Sequence, residues 1–116
     1  MERKFPPILF EDNHLLVALK PPRMLTQGDA TGDESLLDTL KTYIKEKYDK
    51  PGEVFLGLVH RMDRPVGGIL VFARTSKAAA RLGAQIKDGS LKREYVLACQ
   101  GETPDQFRLK DYLVKD

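Results

Sequence analysis

The chain has 116 residues with a formal net charge of +2, and 41% of its residues are apolar. This length suits one domain, and an ordinary apolar content with nearly balanced charge argues against a disordered chain. The single cysteine excludes an internal disulfide framework and a cysteine-rich zinc cluster, and no apolar run reaches the roughly 20 residues of a membrane span. We therefore expect a cytoplasmic domain without a metal site or a membrane anchor.

The first half of the chain predicts two strands, a loop and a helix. Ile8–Phe10 is a short apolar segment, and Leu15–Leu19 is an unbroken apolar run of the kind found in buried strands. Residues 23–34 predict an irregular loop, because glycine, aspartate and threonine dominate them. Ser35 and Asp38 form a capping-box pattern, and apolar residues recur at helical spacing after it. A helix is therefore predicted from this point to the next Pro-Gly pair.

The second half predicts three more strands and a second helix. Val54–Val59 and Gly68–Ala73 are apolar runs, and Glu94–Cys99 also reads as a strand. Thr75 or Ser76 caps a helix between the last two of these segments. The element order predicts an α+β fold with a mixed, largely antiparallel sheet and flanking helices.

Two observations concern the last part of the chain. Cys99 is expected to be a small buried apolar residue, as free cysteines usually are. Leu109, Tyr112, Leu113 and Val114 form an apolar set close to the last residue. This set suggests that the chain stops within a domain, although a short terminal helix packed on the core would also explain it.

Reactive side chains concentrate in the loop between the second and third apolar runs. Asp63 lies between Arg61 and Arg64, whose guanidinium groups would keep its carboxylate ionised. An ionised aspartate held in place can act as a nucleophile or a general base, and guanidinium groups can bind phosphates. Residues 60–96 carry a net charge of +5, which would suit a polyanion. The same pattern also fits a structural ion pair in a tight turn.

Three segments in order resemble one family. Residues 60–75, HRMDRPVGGILVFART, resemble the signature of the RluA-type pseudouridine synthases, which is His-Arg-Leu-Asp-Arg, a short turn, Ser-Gly, a hydrophobic strand and Lys or Arg with Thr. Residues 11–22 resemble the opening strand and Lys-Pro turn of that family, and residues 92–101 resemble its later tyrosine-containing strand. The resemblance covers roughly residues 8–101 and makes a stronger signal than one motif alone.

The resemblance implies a partial pseudouridine synthase fold and the isomerisation of uridine to pseudouridine in ribosomal or transfer RNA. Asp63 matches the essential catalytic aspartate, Arg61 the arginine that displaces the target base, and Tyr95 the tyrosine that packs on the uracil. The uridine must be flipped out of its stack, and the reaction needs no cofactor. Asp63 and Tyr95 are thus the expected catalytic residues. The expected RNA-binding residues are Arg61, Arg64, His60 and Lys20.

Two departures from the family pattern stand in the central motif. Met62 replaces the usual leucine, which conserves volume, and Gly67 stands where a serine usually precedes Gly68. Residues 1–116 are expected to form the N-terminal portion of a catalytic domain, truncated and without an S4-type RNA-binding domain. On this view the free fragment is inactive and self-associates through its exposed apolar edge. The alternatives are a non-catalytic RNA-binding module on the same scaffold and a small α+β protein with a structural ion-pair loop.

Overall fold

Residues 5–115 are described by a computed structural model. The strands are β1 (Ile8–Glu11), β2 (Leu15–Lys20), β3 (Gly57–Leu58) and β4 (Gly68–Ala73), and the helices are α1 (Leu36–Lys47) and α2 (Ser76–Asp88). The four strands form one sheet in the order β1-β2-β4-β3, and every pairing between them is antiparallel. The two helices complete the fold, which confirms the α+β class predicted from the sequence.

The central pair of strands, β2 and β4, supplies the middle of the core. Leu16 pairs with Phe72 and Ala18 with Leu70, and all four side chains are fully buried. Because side chains alternate between the two faces of a strand, these residues share one face of the sheet. The other face carries the residues between them, so both faces of these two strands are apolar.

Helix α1 covers the first face. The Ser35 hydroxyl accepts a hydrogen bond from the Asp38 backbone N–H at 3.2 Å, which confirms the predicted N-cap. Leu36, Leu40 and Ile44 follow at helical spacing and pack, fully buried or nearly so, into the main core cluster. The amphipathic pattern of the sequence therefore predicted the buried face of this helix correctly.

Helix α2 covers part of the opposite face. The Thr75 hydroxyl caps it by accepting from the Ala78 backbone N–H at 3.1 Å. Ala78 and Leu82 form a second, smaller cluster with Ala73 of β4. Neither helix of the described residues is long and apolar enough to cross a membrane.

Three expectations for individual segments are wrong. The strand predicted at Val54–Val59 is reduced to two residues, because β4 ends at Ala73 and leaves no partner for the residues before Gly57. Glu94–Cys99 forms no strand, since no neighbouring strand within residues 5–115 pairs with it. Cys99 is exposed for the same reason, as its segment has no layer packed over it.

Candidate active site

Asp63 is carried by the connection from β3 to β4, residues 59–67, which we call the Asp63 loop. The loop contains a turn in which the Val66 backbone N–H donates to the Asp63 carbonyl at 3.0 Å. Asp63 itself is exposed. The loop therefore presents its carboxylate to solvent from between two strands of the sheet.

Thr26 fixes the backbone immediately before Asp63. Its hydroxyl donates to the Met62 carbonyl at 2.8 Å and accepts from the Met62 N–H at 3.1 Å. The Thr26 carbonyl in turn accepts from the Leu37 N–H at 3.0 Å, in the first turn of α1. Thr26 therefore links the beginning of α1 to the residue that precedes Asp63.

Arg64 is held on the other side of Asp63 by a second reciprocal contact. The Arg23 N–H donates to the Arg64 carbonyl at 2.8 Å, and the Arg64 Nε donates to the Arg23 carbonyl at 2.8 Å. Arg23 has a backbone φ of 74°, which is uncommon for a residue with a side chain. Backbone conformations of this kind persist only where the surrounding contacts enforce them.

The Arg64 guanidinium points to a different carboxylate from the one expected. Its Nη2 donates to Asp33 Oδ2 at 2.7 Å in a half-exposed ion pair. In the described part of the chain, Asp63 has no salt bridge with Arg61 or Arg64. The expected structural ion pair within the Arg-Met-Asp-Arg motif is therefore absent from these residues, and the Asp63 carboxylate stays available.

Lys20 does not occupy the RNA-facing position expected for it. Its side chain is fully buried, and its ammonium donates to the carbonyls of Met24, Arg64 and Pro21 at 2.6, 3.0 and 3.3 Å. Burial, and then the nearby Arg64 charge, lower the pKa of this ammonium. Because a buried cation cannot reach a phosphate in solvent, Lys20 is a structural cross-link beneath the Asp63 loop.

His60 also makes a contact within the protein. Its Nε2 accepts the Val71 backbone N–H at 3.1 Å, and its Nδ1 is buried without a hydrogen-bond partner among the described residues. Burial, and then the charge of Arg93, lower the pKa of the imidazole. The ring is therefore neutral near pH 7.

Two glycines allow the loop to return to the sheet. A Cβ added to Gly67 would lie 3.0 Å from the Pro22 ring and 3.2 Å from the Lys20 carbonyl oxygen. A Cβ at Gly68 would lie 2.9 Å from the Met62 terminal methyl, which can move. At Gly67, where the family usually has a serine, the Pro22 ring therefore occupies the space that a side chain would need.

An open groove of about 790 Å³ lies beside the Asp63 loop. One wall is the loop with the adjoining part of β4, and the other is the extended segment 91–97. The groove brings together four of the predicted site residues, whereas Lys20 and Arg64 are absent from its lining. These four residues are His60, Arg61, Asp63 and Tyr95.

The chemistry available in this groove comes from a carboxylate, an arginine and an aromatic ring. Asp63 and Arg61 are both exposed, and Tyr95 is 59% exposed. Within residues 5–115, no three side chains of His, Cys, Asp or Glu cluster in a way that could hold a metal ion. The arrangement offers a general base or nucleophile beside a cation and a stacking surface.

Three residues of this site were missed by sequence reasoning. Thr26, Arg23 and Asp33 fall in a segment that was predicted only as an irregular loop. Their partners, Met62 and Arg64, lie 31 to 41 positions away in the chain. No local pattern signals such contacts, because they depend on two loops meeting in the folded protein.

Comparisons with known proteins identify the family to which this chain is similar. A family model described as RNA pseudouridylate synthase matches residues 14–116. Ribosomal large subunit pseudouridine synthase D of Zymomonas mobilis is 41% identical over 90 residues, which are 76% of this chain and 28% of that protein. Ribosomal large subunit pseudouridine synthase C of Escherichia coli is 30% identical over 95 residues, which are 82% of this chain and 28% of that protein.

A solved structure shares the fold. The human RNA pseudouridylate synthase domain containing 4 superposes with a TM-score of 0.59 and 25% identity, over 72% of this chain and 30% of that one. The chain thus spans less than a third of the length of these relatives. The family model nevertheless covers nearly all of the residues present, so the chain belongs to the RNA pseudouridylate synthase family.

Proposed function

We propose that the protein isomerises uridine to pseudouridine in RNA, with Asp63 as the essential catalytic residue. In this reaction the N1–C1′ bond breaks, the uracil turns, C5 bonds to C1′, C5 loses its proton and N1 gains one. The observation that carries the proposal is the Asp63 carboxylate, which is exposed in a groove and lies between two backbone positions fixed by Thr26 and Arg23. Attack on C1′ and removal of a ribose proton are both open to a carboxylate held in this way.

Arg61 and Tyr95 complete the proposed chemistry. Arg61 lines the groove close to Asp63 in the chain, and its guanidinium would take the place of the flipped uridine in the RNA. Tyr95 lines the facing wall, and its half-exposed ring would stack on the uracil, with a contribution on the order of 1–3 kcal/mol. His60 lies in the same groove, whereas the contacts of Arg64 and Lys20 point to support of the loop.

The proposed substrate is a cytoplasmic RNA, and ribosomal RNA of the large subunit is the first choice. The names of the two bacterial relatives refer to that RNA, and transfer RNA is the other choice that the sequence left open. A net charge of +5 on residues 60–96 supports binding to phosphates. We expect the affinity to fall steeply as the salt concentration rises.

Residues 1–116 are proposed to be the N-terminal part of the catalytic domain. Apolar side chains such as Leu97 and Leu113, which are 79% and 96% exposed, support this view, because further polypeptide would bury them. Leu19 and Ile69 pair on the uncovered part of the sheet and are exposed as well. Residues 1–116 on their own are therefore expected to be inactive and to self-associate.

The experiment that tests the function is a pseudouridine assay with the full-length natural polypeptide and unmodified ribosomal or transfer RNA. Asp63→Asn should lower the rate at least about 100-fold, because it removes the ionised carboxylate and keeps its shape. Asp49→Asn is the matched control, since Asp49 is exposed, follows the far end of α1 and adopts a φ that asparagine accepts. Full activity of Asp63→Asn would contradict the proposal.

A non-catalytic RNA-binding module is the second candidate, and Gly67 in place of the usual serine favours it. That candidate predicts salt-sensitive RNA binding that Asp63→Asn does not change, with no product from the full-length protein. Product formation by the unsubstituted protein would exclude it.

A further inference from the structure

The backbone hydrogen bonds between β3 and β4 are followed along β4 by a hydrogen bond to the side chain of His60. Gly57 and Leu58 pair with Ala73 and Phe72, and the next residue on this edge of β4 is Val71. Its N–H does not meet a backbone carbonyl of β3. It donates instead to His60 Nε2 at 3.1 Å. The imidazole thus takes the place of the carbonyl that would continue the strand.

The partner atom fixes the protonation state of the ring. A backbone N–H can only donate, so Nε2 must carry a lone pair. The proton of the neutral imidazole then lies on Nδ1, which is buried and has no partner among the described residues. Protonation would place an Nε2–H donor against the Val71 N–H donor. The contact exists only while His60 is neutral.

The location of this contact gives it a consequence for the site. His60 is where the chain leaves the sheet for the Asp63 loop, and Thr26 fixes Met62 two residues later. Arg61 lies between these two fixed points, and Asp63 follows the second. The direction in which the chain enters the loop therefore depends on the His60 contact with β4.

We propose that His60 is a positioning residue whose neutral imidazole holds the Asp63 loop on the edge of β4, and that protonation of this ring loosens the loop and slows the reaction. The proposal rests on the proposed function for its effect on rate. The contact itself rests only on the geometry of the two residues. The proposal gives His60 a role within the protein in place of the RNA contact expected from the sequence.

The surroundings of His60 favour the neutral form. Burial comes first and the positive charge of Arg93 second, and both lower the pKa of the imidazole from its usual value of 6.5. The other charged side chains that line the same groove are Arg61, Asp63, Lys92 and Glu94. Because the folded-state pKa lies below 6.5, the loop is held at neutral pH and is released only in more acidic solution.

The kinetic test compares the pH dependence of pseudouridine formation in the full-length protein and three variants. Protonation of His60 should lower the wild-type rate as the pH falls below about 6.5. His60→Gln should lack this decline, because its amide oxygen accepts a hydrogen bond at every pH. His60→Ala should lose about five- to tenfold at pH 7.5, which corresponds to one hydrogen bond. His14→Gln is the matched control, since it changes the other histidine, which is exposed on the β1–β2 turn.

A second measurement reads the contact directly and does not depend on activity or on the stability of a variant. The ¹⁵N chemical shifts of the His60 ring in the wild-type protein should show Nδ1 protonated and Nε2 unprotonated at pH 7.5. As the pH is lowered and His60 becomes protonated, the Val71 amide should lose its protection from hydrogen exchange, after correction for the intrinsic exchange rate. Its protection should be unchanged over the same range in His60→Gln.

The outcomes separate this inference from the proposed function. An Nε2-protonated tautomer, or the same acidic decline in His60→Gln as in the wild type, would overturn the role of His60 even if pseudouridine forms normally. If neither the wild-type protein nor any variant makes pseudouridine, the proposed function fails. The ring shifts and the Val71 exchange then still decide whether the contact holds the loop.

Discussion

Thr26 and Met62 exchange two hydrogen bonds although 36 positions separate them in the chain. The Thr26 hydroxyl acts as donor to the Met62 carbonyl and as acceptor for the Met62 N–H, so one side chain satisfies both backbone groups. Thr26 is 4% exposed, and its own carbonyl accepts from the first turn of α1. The beginning of a rigid helix is thereby connected to the residue next to Asp63.

Replacement of Thr26 by valine should destabilise the protein and impair the site. The change keeps the shape of the side chain but leaves the Met62 N–H and carbonyl without partners, which costs about 1–3 kcal/mol of unfolding free energy. Urea denaturation measures this loss, and Thr26→Ser is the control because it keeps the hydroxyl. Equal stability of the valine and serine variants would show that the paired hydrogen bonds are unimportant.

Introduction of the usual family residue at Gly67 should be unfavourable in this chain. Gly67→Ser places a Cβ 3.0 Å from the Pro22 ring, so the loop must shift at a cost of about 1–3 kcal/mol. Pro22→Ala should restore part of this loss in the double variant, because it removes the ring atoms that clash. The free energies of unfolding of the four proteins in this cycle test the coupling.

Gly83 in α2 offers the control for this cycle, because a Cβ added there meets no atom within 4 Å. Gly83→Ala should raise the unfolding free energy by roughly 0.5–1 kcal/mol, as expected for a glycine inside a helix. Strict additivity of Pro22→Ala and Gly67→Ser would contradict the proposed packing relationship.

Removal of the buried ammonium of Lys20 should make the Asp63 loop less rigid. Lys20→Met keeps most of the side-chain volume but leaves the buried Met24 carbonyl without its donor, at about 1–3 kcal/mol, and leaves the Arg64 carbonyl with the Arg23 N–H alone. Amide hydrogen exchange of residues 62–64 and of Val66 should become faster, whereas exchange in α2 should change little. If only RNA affinity fell and the exchange rates stayed the same, Lys20 would have the RNA-binding role that its burial argues against.

The stability of the protein should fall in acid through Glu11. Burial would raise the pKa of this carboxyl, but hydrogen bonds from Lys47 and Tyr48 outweigh it and lower the pKa below 4.5. A carboxyl with a depressed folded-state pKa stabilises the protein above its unfolded pKa, and this contribution disappears as the pH falls through the folded pKa.

Urea denaturation between pH 3 and pH 7 measures this dependence. Glu11→Gln should flatten the part of the profile below pH 4.5, because it removes the titrating group. Glu53→Gln is the control, since Glu53 is exposed. An unchanged acidic decline in Glu11→Gln would assign the effect to other carboxyl groups.

The sequence alone predicted the elements whose signals are local. The Ser35 cap, the buried stripe of α1 and the strands around Ala18 and Leu70 follow from residue spacing and capping chemistry, which act within a few positions of the chain. The order of three motifs also identified the family, which the comparisons confirm. Asp63 was predicted as a site residue in the same way, because its motif is contiguous.

The tertiary structure decided which charged and polar groups are used and which stay free. Lys20 becomes buried and Arg64 pairs with Asp33 because the loop that follows β2 packs under the Asp63 loop, and no pattern along the chain encodes that meeting. The length of a strand likewise depends on the neighbouring strand with which it pairs. Residues 94–99 have the composition of a strand, but composition cannot supply the partner whose hydrogen bonds a strand requires.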